Sequence, residues 1–295
     1  MNRRVLSWLP ALLLAACASQ PEPQTPALSE QQSLDRSARL AFDQAHYAQA
    51  ATLYAAALEQ ALSEDRASAI IDARFNLALS KAYLGDYRSA LEQVDQADAE
   101  RLRRGLGADA QLQLLRAIIH YRAGSLDNAD RALSPLLDDP ALAPTTAARA
   151  HFLAGLIAAD RGAADALRAH LSYLQTDPSN EVDRVELGAR LAAVEGDTEG
   201  ALRMLDRAIE LRSQQGDYRG MVRCLASAGH IAEQQKSVHR AAAYFLRAGR
   251  SAAQRQEPQA PGWLRDAIRL GEQSADGALV VEAKSILDGV PGAQP

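Results

Sequence analysis

Small residues recur along the chain in pairs twelve apart: Ala38/Ala50, Ala78/Ala90, Ala117/Ala129, Ala189/Ala201, Gly229/Ala241 and Gly271/Ala283. Gly155/Leu167 keeps the interval with a large second member. A further alanine follows seven residues after several pairs, at Ala57, Ala97, Ala208 and Ala248. A large apolar residue usually stands between, at Tyr54, Val94, Leu133, Leu171, Leu205, Phe245 or Leu287. Turn-forming residues interrupt five of these seven intervals: His46-Tyr47, Gly85-Asp86, Gly124-Ser125, Gly162 and Gly196-Asp197. This pattern predicts two helices joined by a tight turn. Their axes approach closely where both faces carry Ala or Gly, and the bulky residue one turn on fills the space toward the next pair. One pair cannot bury its apolar face alone, so the pairs must stack.

Polar breaks keep the same rhythm. Asp139-Pro140 to Pro144 divides the third pair from the fourth, and Asp177-Pro178-Ser179-Asn180 the fourth from the fifth. Gln256 to Gly262 sets off a last pair beginning at Trp263, expected to cap the stack. The spacing, led by Phe75-Asn76-Leu77-Ala78, Gly85-Asp86-Tyr87, Ala90 and Ala97, resembles the tetratricopeptide repeat. That family places small residues at repeat positions 8, 20 and 27, a turn glycine near 15 and an aromatic at 17. The resemblance covers about residues 31–290. It implies an all-α solenoid of about seven antiparallel helix pairs, with 31–255 as repeats, 256–290 as the capping pair and 291–295 as a tail.

The beginning of the chain differs in kind. Arg3 and Arg4 precede an apolar run from Val5 to Ala16. At about a dozen residues the run is too short for the roughly 20 a membrane-spanning helix needs, and it reads as a signal peptide over 1–16. It ends in Leu14-Ala15-Ala16-Cys17, which resembles the lipobox of bacterial lipoproteins. The resemblance implies cleavage before Cys17 and acylation of its thiol. Ala18 stands where an aspartate would resemble an inner-membrane retention signal, so the expected location is the outer membrane, facing the periplasm. Residues 17–30 then form a lipidated cysteine and linker. Pro21, Pro23 and Pro26 make 18–28 an extended spacer at about 3.1 Å per residue. Ser29 with Gln32 forms a capping box for the first helix.

Composition narrows the function. Net charge is −5, which gives nucleic-acid binding no support. Aromatic content of 5% with abundant alanine disfavours a sheet. Of two cysteines, Cys17 is assigned to lipid, so Cys224 has no partner in the chain and reads as a buried small apolar residue. The motifs of metalloproteases, serine hydrolases, phosphate loops and redox dithiols are missing. Asp138-Asp139 reads as a solvated loop. None of the six histidines pairs at i,i+4, the spacing that would present two ligands on one helical face. No catalytic residue, metal or cofactor is expected.

A binding surface is expected instead. The resemblance implies a concave groove lined by the first helix of each repeat, chiefly at positions 2, 5, 9, 12 and 13. Carried over, these give Asp72, Phe75, Leu79 and Tyr83, then Leu114, Ile118 and Tyr121, then Arg149, Phe152 and Leu156. An apolar strip with aromatic anchors suits a protein partner. Phe75, Leu114 and Phe152 suit inter-repeat core equally well. The sequence therefore points to a membrane-anchored periplasmic scaffold for protein partners, similar in layout to pilotins, cell-wall enzyme adaptors and outer-membrane assembly components. A peptide- or glycan-binding or enzymatic cleft on the same scaffold is the alternative.

Overall fold

The computed structural model describes residues 30–175 and 177–290. The expected signal peptide over 1–16, Leu14-Ala15-Ala16-Cys17, the proline-rich stretch 18–28, Ser29 and the residues from 291 onward lie outside them. Fourteen α-helices, and no strand, occur among the described residues. They run α1 Glu30–Asp43, α2 Tyr47–Ser63, α3 Ala67–Tyr83, α4 Tyr87–Arg103, α5 Ala110–Arg122, α6 Leu126–Leu137, α7 Pro144–Asp160, α8 Ala164–Leu174, α9 Glu181–Val194, α10 Thr198–Gln214, α11 Tyr218–Gln234, α12 Val238–Ala253, α13 Ala260–Gln273 and α14 Gly277–Asp288. Each odd helix packs on the following even one, and α3 on α5, α5 on α7 and α7 on α9 continue the stack.

The twelve-residue interval falls across every helix pair. Ala38, Ala50, Ala78, Ala90, Ala117, Ala129, Ala189, Ala201, Ala241 and Ala283 are all 0% exposed, as are Ala57, Ala97, Ala208 and Ala248. The reason is steric. A side chain at Gly229 would lie 2.8 Å from the Phe245 ring, and one at Gly271 would lie 2.8 Å from Val280 Cγ2. Gly155 serves a different contact: a side chain there would lie 2.5 Å from Leu187 Cδ1 of α9. Its smallness therefore fits α7 to the next pair, which is why Leu167 can be large. Val94, Leu133, Leu205 and Phe245 are fully buried, while Leu171 and Leu287 are only partly covered.

Turns close by one recurring device. A residue with positive φ ends the first helix and the next residue caps the second. Gly85, Gly124, Gly162 and Gly196 take that conformation in four pairs, Ala45, Lys236 and Ala275 in three others. Asp86, Asp197 and Asp276 then accept a backbone N–H three residues on, and Asp217, after Gly216, does the same between the fifth and sixth pairs. The last pair starts earlier than expected. α13 begins at Ala260 and not at Trp263, because Pro261 suits the first helical turn, where its missing N–H has no intrahelical partner to lose.

Candidate functional site

The stack curves so that its sixth helix pair meets its first two. Arg219, at the start of α11, reaches across to the first two pairs. Its Nη2 donates to the Tyr47 hydroxyl at 2.6 Å. Its guanidinium lies 3.8 Å from the Tyr83 ring centre, 5.1 Å from that of Phe42 and 5.2 Å from that of Tyr47. Tyr47 and Tyr83 stack at 4.9 Å, and Phe42 meets both edge-on. Beside this clasp, a side chain at Gly85 would sit 3.4 Å from Pro258 Cγ, and Arg122 Nη2 stands 4.0 Å from Glu257 Oε2. Residues more than 170 apart in sequence are thus joined across the concave side.

Behind the clasp lies a cavity of about 640 Å³. Tyr83, Ile118, Tyr121, Phe152, Leu156 and Trp263 give it apolar walls; Arg122, Arg149, Arg219, Arg223, Asp160, Glu257 and Gln259 give it charge and polarity. It shares Tyr121, Asp160, Arg223 and Trp263 with a second hollow of about 660 Å³, lined further by Arg190, His230 and Gln234. Several polar atoms here are buried without a hydrogen-bond partner in the protein: Arg122 Nε and Nη2, Arg219 Nε, Glu257 Oε1 and Gln259 Oε1. Glu257 is only 6% exposed. The side chains that carry these atoms line the cavity and give its rim a polar character.

The floor is held by a buried ionic network. Glu186 of α9, 0% exposed, accepts from Arg223 Nε at 2.6 Å and Nη2 at 2.9 Å. It also accepts from Arg212 Nε at 2.9 Å and Nη2 at 2.5 Å. Arg212 donates further to Asp183 at 2.7 Å and Asp217 at 2.5 Å. Burial pushes the Glu186 carboxyl up, but Arg223 and Arg212 more than offset this and hold it well below the usual carboxylate range. The two guanidiniums lie 5.1 and 5.6 Å from the Phe152 ring centre. Tyr121 donates to Asp160 at 2.9 Å, and burial pushes its hydroxyl up to about 12. Burial also pushes the Cys224 thiol up to about 12, in keeping with its 0% exposure.

Of the residues expected in the groove, Tyr83, Ile118, Tyr121, Arg149, Phe152 and Leu156 come together on the cavity. Phe75 and Leu79 pack instead with Ile71, Ala78 and Val94 in the core between the second and third pairs. Leu114 is 3% exposed in the core between the third and fourth. Asp72 is exposed, one helical turn before Phe75, and does not line the cavity. The curvature explains the split: near the N-terminal end only the last turn of α3 reaches the interior. The C-terminal contributors were readable by carrying the same repeat positions into the fifth and sixth pairs. Position 2 of the sixth is Arg223, and positions 5, 9 and 13 are Ala226, His230 and Gln234, all at the second hollow. Arg219 and Glu257 lie outside those positions and follow only from the closed shape.

No protein-family model matches the chain. No curated protein matches its sequence. Solved structures do share its architecture. A tetratricopeptide repeat protein from Parabacteroides merdae is 12% identical over 87% of this chain and 98% of that one, with a TM-score of 0.51. The apo form of RapI is 11% identical over 90% of this chain and 78% of that one, with a TM-score of 0.48. At these identities the likeness concerns the fold alone. The first structure supports a tetratricopeptide-repeat-like helical solenoid for this chain.

Proposed function

We propose that the protein is a lipid-anchored periplasmic scaffold that holds a short extended segment of a protein partner in the closed concave cavity. One observation carries the reading: aromatic walls and arginine, glutamate and glutamine side chains line the same space. A polypeptide backbone is complementary to both kinds of side chain. Its carbonyls can accept from Arg122 and Arg219, and its N–H groups can donate to Glu257 and Gln259. The cavity lies within the roughly 300–1,000 Å³ range of small-ligand sites, whereas an α-helix with side chains is about 10–12 Å wide. A chain end or a few extended residues therefore fits better than a docked helix.

The anchor rests on Leu14-Ala15-Ala16-Cys17. Each acyl CH₂ buried in a membrane contributes about 0.8 kcal/mol, so two or three chains on Cys17 would hold the protein stably. Among the described residues no helix is long and apolar enough to cross a membrane. A pilotin, a cell-wall enzyme adaptor or an outer-membrane assembly factor would share this layout.

Two experiments test the proposal. Metabolic labelling with a clickable fatty acid should mark the wild type and not Cys17→Ser; equal labelling would remove the anchor. A photo-crosslinking residue at Ile118, on the cavity wall, should capture a discrete polypeptide that the same residue at Arg88, whose side chain is 91% exposed, does not. Identical products from both sites, or none, would remove the groove.

A further inference from the structure

His151 on α7 and His170 on α8 are nineteen residues apart in sequence, yet their Nδ1 atoms face each other at 3.1 Å across the fourth helix pair. The ring centres lie 5.3 Å apart with planes inclined by 54°. Tyr173 stacks on His151 at 3.8 Å and fixes that ring's plane. Both histidines are half-buried and neither lines the concave cavity, so this pair is separate from the partner site.

We propose that His151 and His170 form a two-imidazole site for a borderline divalent cation of the copper(II), nickel(II) or zinc(II) kind. The bite is right. With metal–nitrogen bonds of about 2.0–2.1 Å, two ligands at the tetrahedral angle stand about 3.3 Å apart and two at a right angle about 2.9 Å. The observed 3.1 Å falls between. Imidazole nitrogens favour this class of cation over magnesium or calcium, which take oxygen ligands. Tyr173 holds the His151 ring, so the His170 ring makes the adjustment, turning about its broad χ2 well until both lone pairs converge on one ion with little movement of the helices.

The tautomers suit it too. In the metal-free pair one Nδ1–H donates to the other Nδ1. On binding, that proton moves to Nε2 of its own ring, and both Nδ1 lone pairs become ligands with no net proton lost. No group of three or more His, Cys, Asp or Glu ligands occurs among the described residues, so the remaining positions on the ion are left to water or an external ligand.

The test uses the purified full chain, copper(II) as probe, and a buffer that does not bind metal. Isothermal titration should show one site per chain. Electron paramagnetic resonance with electron spin-echo modulation at one equivalent should show two bound imidazoles. His151→Gln and His170→Gln, which keep polar side chains between the helices, should each weaken binding by at least about tenfold, as loss of even an outer-sphere partner commonly does. His239→Ala, at an exposed histidine beside Asp276, should change nothing. Retained binding in the His151→Gln/His170→Gln double variant would overturn the proposal, because copper would then be held by other histidines. A spectrum with fewer than two imidazoles, or no binding, would overturn it equally.

Discussion

Replacing Arg219 with alanine should open the ring while leaving the helices intact. The side chain makes three kinds of contact with the first two pairs: a hydrogen bond to Tyr47 at 2.6 Å, a close stack on Tyr83 at 3.8 Å and looser contacts with Phe42 and Tyr47. A hydrogen bond from a charged donor contributes about 1.5–3 kcal/mol. A partly desolvated cation–π contact adds about 1–2 kcal/mol. Against these stands the buried Arg219 Nε without a partner, which costs about 1–3 kcal/mol. The net is about 1–3 kcal/mol, which is about five- to 150-fold in the balance between closed and open forms. What remains across the seam is the contact of Gly85 with Pro258 and the 4.0 Å approach of Arg122 to Glu257, and neither can replace it. Small-angle X-ray scattering should show a larger radius of gyration for Arg219→Ala at unchanged far-ultraviolet circular dichroism. Arg219→Lys should be intermediate, because it keeps the charge and loses the planar fork. A double-mutant cycle between Arg219→Ala and Tyr83→Leu should give a coupling of at least about 0.5 kcal/mol. Superimposable scattering curves and no coupling would show that curvature is set by packing between pairs and that the clasp is incidental.

Other perturbations separate the framework from the site. Glu186→Ala should destabilise the fifth and sixth pairs by about 3–5 kcal/mol in urea denaturation, since it strands two guanidiniums; the lower end applies because the Arg223 side chain is 30% exposed. The Glu186 carboxyl is held below its usual 4.5, so its stabilisation is complete above that pH and is lost as pH falls toward the folded value; Glu186→Gln should flatten that acid limb, and an unchanged limb would contradict the assignment. Asp183 opposes it weakly, because burial pushes its carboxyl up. Ala90→Leu, at a residue 0% exposed between α3 and α4, should lower stability by about 1–3 kcal/mol, and an unchanged melting midpoint would mean the second pair is misread. Lys236→Gly should raise stability by up to about 1 kcal/mol, because Lys236 is an exposed turn residue at φ 60° where a side chain is disfavoured.

The helix pairs were legible because their cause is local and repeated. Two helices can approach closely only where side chains are small, and the distance between those points along the chain is set by one turn of fixed size. Ala78 and Ala90 therefore announce α3 and α4 without any long-range information. The site was legible only in part. Tyr83, Tyr121 and Phe152 follow from repeat position, but Phe75 and Leu114 occupy equally valid positions and turn into the core. What separates them is the curvature of the stack, and no single repeat encodes it. Arg219 meets Tyr47 for the same reason, and His151 meets His170 through antiparallel packing across the α7–α8 turn, which the search for i,i+4 pairs on one helix could not find.

The distribution of aromatic residues connects framework and site. The chain has only four Phe, two Trp and eight Tyr in 295 residues. Some of them serve the stack: Tyr54, Tyr244 and Phe245 are buried in it and Phe75 packs against it, although its contacts are built mainly from alanine with leucine, isoleucine and valine. Yet Tyr83, Tyr121, Phe152 and Trp263 stand on one cavity, and Phe42 and Tyr47 complete the clasp at its edge. Arg122, Arg149, Arg219 and Arg223 line the same space. Aromatic and arginine side chains are the types that dominate binding energy at protein interfaces, since they combine large contact area with polar ends that hold orientation. Small side chains on the helix–helix faces let the pairs pack closely, and six of the aromatic residues are gathered on the interior of the curve. The Arg219→Ala variant tests framework and site together, since opening the ring should weaken any partner held behind the clasp by about the same factor that it shifts closure.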